Sequence, residues 1–171
     1  MKKIQMSLCV ALICSVAIAL VAFAQANVAT LTAGISGFEE LGAPVLAPNA
    51  STAHGTFQAS VSSDVKTVNY ILTWTPFTSS VLFAHIHFAM PGVNGAIMAF
   101  LCGGGGKPGC AGGLATGTIT AADIIAVPAQ GIGANDFANF LRAIAAGDGY
   151  VNIHTTNFPG GEIRGQIKAR P

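Results

Sequence analysis

From Ala29 onward the apolar residues fall mostly two positions apart. Ala29, Leu31, Ala33 and Ile35 alternate with small polar or glycine neighbours, and Val68, Tyr70, Leu72 and Trp74 alternate with Thr67, Asn69 and Thr73. A repeat of two sends successive side chains to opposite faces, so these runs predict strands with one buried face. Further strand-like runs are Gly55 to Val61, Ser80 to Phe88, Ala96 to Cys102, Ala115 to Ile119, Tyr150 to Thr155 and Glu162 to Lys168. Clusters of Gly, Pro, Asn and Ser separate them. The Pro-containing stretches Glu39 to Ser51 and Ala89 to Gly95 read as loops. Many short strands punctuated in this way predict an all-β fold, an antiparallel Greek-key-like β-sandwich or flattened barrel.

One segment departs from the two-residue period. Phe137, Phe140, Leu141 and Ile144 recur at helical spacing, with Asn135 or Asp136 available as N-cap and Gly147 placed for the left-handed C-terminal position. One short amphipathic helix is therefore expected before the penultimate strand, its aromatic side on the sheet. Asp123-Ile124-Ile125 reads as a second helical turn.

The N-terminus changes the picture of where the protein works. Lys2 and Lys3 precede an apolar run from Leu8 to Ala24 broken only by Ser15, followed by Ala22-Phe23-Ala24-Gln25-Ala26-Asn27. This reads as a signal peptide over residues 1–26, with cleavage after Ala26 favoured over cleavage after Ala24, and an uncleaved membrane anchor as the minor alternative. The mature chain, residues 27–171, is then a single secreted or periplasmic domain with no membrane segment after cleavage. Losing Lys2 and Lys3 leaves six Lys/Arg against seven Asp/Glu. A nearly neutral chain offers no basic stripe, which argues against a nucleic-acid partner.

Cys9 and Cys14 leave with the signal, and the remaining pair, Cys102 and Cys110, brackets a glycine-rich loop. In an exported protein that pair is most simply a disulfide. The Gly103 to Gly106 run lacks a G-K-[ST] continuation and a following helix, so it is not read as a phosphate loop. No serine elbow or carboxylate pair stands out, and an enzyme is the least supported class.

Candidate chemistry lies in the histidines. His85 and His87 are two residues apart, which on a strand aims both rings to one face. His154 sits in a second strand on the parity of Asn152 and Tyr150, and if the two strands are neighbours the three rings converge. Three imidazoles suit one copper or zinc ion. The competing reading makes them strand histidines bonded to their neighbours. Glu162 and Arg164 share one face of the last predicted strand. The Glu162 carboxylate is either a metal ligand, an acceptor fixing a histidine tautomer, or a structural partner of Arg164 or a histidine. His54 stands beside a turn and reads as exposed, and Met90 as loop packing.

The ordered set Ala84-His85-Ile86-His87, Pro91-Gly92-Val93-Asn94-Gly95, Tyr150-Val151-Asn152-Ile153-His154-Thr155 and Asn157-Phe158-Pro159-Gly160-Gly161-Glu162-Ile163-Arg164-Gly165-Gln166 closely resembles the CHRD domain, the repeat named after chordin. The likeness spans about Ala29 to Lys168. It implies an exported all-β module with no defined biochemical activity. A weaker similarity links His85, His87 and His154 to the copper ligands of copper/zinc superoxide dismutase, although the bridging histidine and the zinc-loop residues are missing. That similarity implies at most one copper or zinc ion. The function expected from these resemblances is a structural or interaction module of the cell envelope or extracellular space, with an unknown protein or envelope partner. In that case the histidines, Asn152, Glu162 and Arg164 form a polar network. The alternative is a protein binding a single copper or zinc ion.

Overall fold

In the computed structural model, residues 30–42, 44 and 46–170 are described, and the segment read as a signal peptide, with Cys9 and Cys14, lies outside the described residues. The strands are β1 (Thr30–Ser36), β2 (His54–Val61), β3 (Val68–Trp74), β4 (Val81–Phe88), β5 (Ala96–Cys102), β6 (Leu114–Ile119), β7 (Gly149–Thr155), β8 (Ile163–Gln166) and β9 (Lys168–Arg170). Among the described residues a single α-helix, α1 (Phe137–Ala145), precedes β7.

All pairings are antiparallel, in the order β5-β4-β7-β8-β1-β2-β3-β6, with β9 also on β1. The sheet curls into a nearly closed barrel, as the expected Greek-key-like class requires. The chain crosses from β3 to β4 and returns from β5 to β6 across the open seam. There the Tyr70 hydroxyl of β3 donates to the Leu101 carbonyl of β5 at 2.7 Å.

The inward side chains form one apolar core. Leu31, Phe57, Val68, Leu72, Ile86, Ile119, Val151, Ile153 and Ile163 are all completely buried within it. Each is worth about 1.5–3 kcal/mol of burial. The alternation that predicted the strands is the alternation that fills this core.

The helix forms as its spacing predicts. The Asp136 side chain accepts from the Asn139 amide at 3.1 Å, so Asp136 and not Asn135 is the cap. Gly147 takes a φ of +86° one residue beyond the C-cap, which a side chain would disfavour. Phe137, Phe140, Leu141, Ala143 and Ile144 are buried.

The turn expected at Asp123 lies two residues earlier, as a 3-10 turn over Ala121–Asp123, where one Asp123 oxygen accepts from both the amide and the hydroxyl of Thr120. The last predicted strand is split. Ile167 turns into the core and its amide donates to Gly149, while β9 moves to the opposite end of β1 and pairs with Thr30–Thr32.

Strand β5 carries two bulges against β4. Leu101 is left unmatched between the pairs Ala84↔Cys102 and His85↔Phe100, and Met98 between Ile86↔Ala99 and His87↔Ile97. Outside donors take both bulge carbonyls, Tyr70 at Leu101 and the Ile125 amide at Met98 (2.9 Å). One bulge falls immediately before each of the two histidines of β4, a common device for aiming side chains. The expected Cys102–Cys110 disulfide closes the loop after β5, with the Cα atoms 5.1 Å apart. In the entropic account it stabilises the fold by about 2 to 3 kcal/mol.

Candidate metal centre

Strands β4, β7 and β8 are buried on both faces. Their inward residues, including Ala84, Ile86, Val151, Ile153 and Ile163, join the apolar core. Their outward residues, His85, His87, Tyr150, Asn152, His154 and Arg164, are buried too, and all seven residues of β7 are buried. The two predicted loops supply the cover: Asn94 of the 89–95 loop donates to the Leu41 carbonyl of the 39–51 loop at 2.9 Å and accepts from Arg164 at 3.0 Å. A second, polar layer therefore lies between the sheet and its loops.

Register brings the three imidazoles together. β4 and β7 are neighbours, pairing Phe83↔His154, His85↔Asn152 and His87↔Tyr150. The His85 ring centre lies 4.5 Å from that of His87 and 4.6 Å from that of His154. One ligand nitrogen from each ring falls within 4.8 Å of the other two. A shared ion at about 2 Å from each nitrogen requires the rings to close by a further ångström or so.

Hydrogen bonds fix which nitrogens face inward. His87 Nδ1 lies 2.8 Å from the Gly95 carbonyl and His154 Nδ1 lies 2.9 Å from the Pro159 carbonyl. A carbonyl only accepts, so both Nδ1 atoms carry the proton and both Nε2 atoms carry a lone pair. This is how histidine ligands of metals are commonly oriented. Nε2 of His154 and Nδ1 of His85 are buried without any hydrogen-bond partner. Nε2 of His87 sits 3.1 Å from Asn152 Oδ1, so with the proton on Nδ1 the contact is a hydrogen bond only if the amide is turned to present its NH2 group.

Aromatic rings surround the cluster. Phe83 packs on His85 and His154 with centres 5.3 and 4.7 Å away, and Phe100 meets His85 edge-on at 5.2 Å. Tyr150 stacks on His87 at 4.6 Å with only 4° between planes, and the Arg164 guanidinium lies 3.4 Å above the Tyr150 ring. Burial pushes the His85 ring down to about 2, aided by the neighbouring imidazoles, and pushes His87 down to about 4. Burial also lowers His154, against the bond to Pro159. All three rings are neutral at pH 7, the state in which imidazole binds metal.

The carboxylates sit differently from the sequence expectation. Glu162 accepts from the hydroxyls of Ser51 and Thr155, one at each oxygen, while its backbone carbonyl accepts from Asn49. Its side chain therefore anchors the 39–51 loop rather than touching an imidazole. The acid nearest Arg164 in this layer was not anticipated. Glu40 is 1% exposed, with Oε1 bonded to the Leu41 amide and Oε2 unpartnered. Burial raises its pKa, and Arg164 lowers it. It rests on the bare backbone of Gly161, whose φ is +121° and where a Cβ would come within 2.6 Å of the carboxylate. Only one sequence signal could have found it: a buried Arg164 in a chain of few charges needs an anionic counterpart. Arg164 completes its bonds through the Val93 carbonyl at 2.8 Å.

His54 is exposed at the start of β2 and Met90 is exposed in its loop, so neither joins the site. A shallow groove of about 350 Å³ lies elsewhere, on strands β1 to β3, lined by residues such as Thr32, Gln58 and Asn69. Among the described residues, no helix is long and apolar enough to cross a membrane.

Comparison with curated proteins found no match. A family model described as the CHRD domain matches residues 31–167, a span that runs from β1 to the residue between β8 and β9 and contains every residue of the histidine layer. On that match the chain belongs to the CHRD-domain family.

Proposed function

We propose that this chain is an exported CHRD-domain protein that holds one transition-metal ion, copper or zinc, through His85, His87 and His154. The observation that carries the reading is the pair of buried, unpartnered ring nitrogens, Nδ1 of His85 and Nε2 of His154. Leaving a buried polar atom without a partner costs about 1–3 kcal/mol, and both belong to a trio of rings that each bring one nitrogen within 4.8 Å of the others. An ion accepts all three. The donor set fits: neutral imidazoles suit copper and zinc, and backbone carbonyls orient two of the rings.

The test is stoichiometric uptake. The purified chain should take up about one equivalent of copper or zinc and melt at higher temperature with it, by mass action on the folded state. His154→Ala should abolish both effects. Equal, weak binding by the original protein and the variant would exclude the site.

A second reading, a purely structural module of the envelope or extracellular space, draws on Arg164 and Glu162. Their bonds tie both cover loops to β8 and the residue just before it, and so fix register without any ion. Under it, His85→Ala lowers the melting temperature equally with and without metal.

A further inference from the structure

Building on the metal-site reading, we infer that the ion this site selects is copper(I), bound by three imidazole nitrogens and no fourth ligand. Ligand supply comes first. Among the described residues the potential donors brought together are the three histidines alone. Both Glu162 oxygens are occupied by hydroxyls, Glu40 stands outside the group, and Cys102 and Cys110 are joined to each other. Zinc in proteins takes four ligands, and copper(II) prefers a tetragonal set of at least four. A d10 monovalent ion is content with three.

Solvent access comes second. A zinc or copper(II) ion could complete its shell with water, but Nδ1 of His85 and Nε2 of His154 have essentially no accessible surface and none of the three histidines is more than 8% exposed. Phe83 and Phe100 pack against the rings. Water has little room to approach as a fourth ligand.

Charge comes third. Neutral imidazoles bring no compensation of their own, and the Arg164 cation is one ring away, stacked on Tyr150, which is stacked on His87. A divalent ion places twice the charge of a monovalent one beside that guanidinium in a poorly screened interior. Selection here works through coordination number and charge, since imidazole is not the soft thiolate that usually favours copper(I).

The experiment uses the full chain with its disulfide intact and free thiols alkylated. Anaerobic competition against bicinchoninate reads copper(I) affinity, and competition against a zinc-binding dye reads zinc affinity. Copper(I) should bind at one equivalent and at least about 100-fold more tightly than zinc. X-ray absorption of the copper(I) form should show three nitrogen scatterers and no sulfur. Zinc binding as tightly as copper(I), a four-coordinate shell or a sulfur scatterer each overturns this inference while leaving a metal site standing. No stoichiometric uptake of either ion refutes the metal-site reading itself. His154→Ala should lose the copper. Because that variant could unfold, the absorption spectrum of the unsubstituted protein decides the matter independently.

Discussion

Lowering the pH of the metal-free protein from 7 to 5 should remove a large part of its stability through two side chains. His85 and His87 titrate near 6.5 in the unfolded chain, whereas in the folded protein burial holds them down to about 2 and about 4. Between those values the unfolded state binds protons that the native state refuses, so stability is complete above about pH 6.5 and falls as the pH drops. At pH 5 each unfolded imidazole is about 97% protonated while the folded ring is still mostly neutral, which costs about 2 kcal/mol per ring. The size is set by the unfolded pKa and the pH, and so depends little on how far each native value lies below 5. Two rings give about 4 kcal/mol, and His154 acts in the same direction. Glu40, whose carboxyl is raised by burial, acts in the opposite direction because it accepts a proton more readily when folded. Its relief is concentrated toward the lower end of the range. Against a typical net stability of 5–15 kcal/mol the loss is easily measured. Urea midpoints at pH 7, 6 and 5, after chelator treatment, read it directly. A curve that stays flat over that interval would refute the reasoning, since it would mean that the folded rings accept protons as freely as solvated ones. His85→Asn should reduce the slope between pH 6 and 5 by nearly one proton, or about 1.4 kcal/mol per pH unit.

Two further outcomes probe the polar layer. Arg164→Met should destabilise by about 1–3 kcal/mol in urea titration, because Asn94 and Val93 lose their common donor, and Arg164→Lys should not restore the loss, since one ammonium cannot both stack on Tyr150 and fork to Asn94 and Val93. Gly161→Ala should cost at least about 1–3 kcal/mol by thermal melting, because it strains a left-handed backbone and drives a methyl group into the Glu40 carboxylate. A Gly161→Ala protein as stable as the original would contradict the cradle.

How much of this was legible in the sequence follows from which interactions are periodic. The strands through Leu31, Phe57, Leu72, Ile86 and Val151 announce themselves because alternation is a local consequence of burying one face. The shared face of His85 and His87 is legible for the same reason. Their meeting with His154 is not, because it depends on β4 and β7 being neighbours across more than sixty residues, a matter of topology on which alternation is silent. Glu40 was invisible because it lies in an irregular loop with no period to betray burial, and Glu162 was placed on the correct strand face but given the wrong partners. The split of β8 from β9 turns on one residue, Ile167, whose apolar character fits either a continuous strand or an inward turn. The bulges at Met98 and Leu101 likewise leave no mark on composition.

The double cover of β7 has a kinetic consequence. With the sheet behind the imidazoles, Phe83 and Phe100 packed on them and Gly95 bonded to His87, whatever binds these rings is enclosed rather than docked. Its arrival and departure are therefore slowed by the need to move those packed side chains. The simplest moment for loading is before the nascent domain has shut.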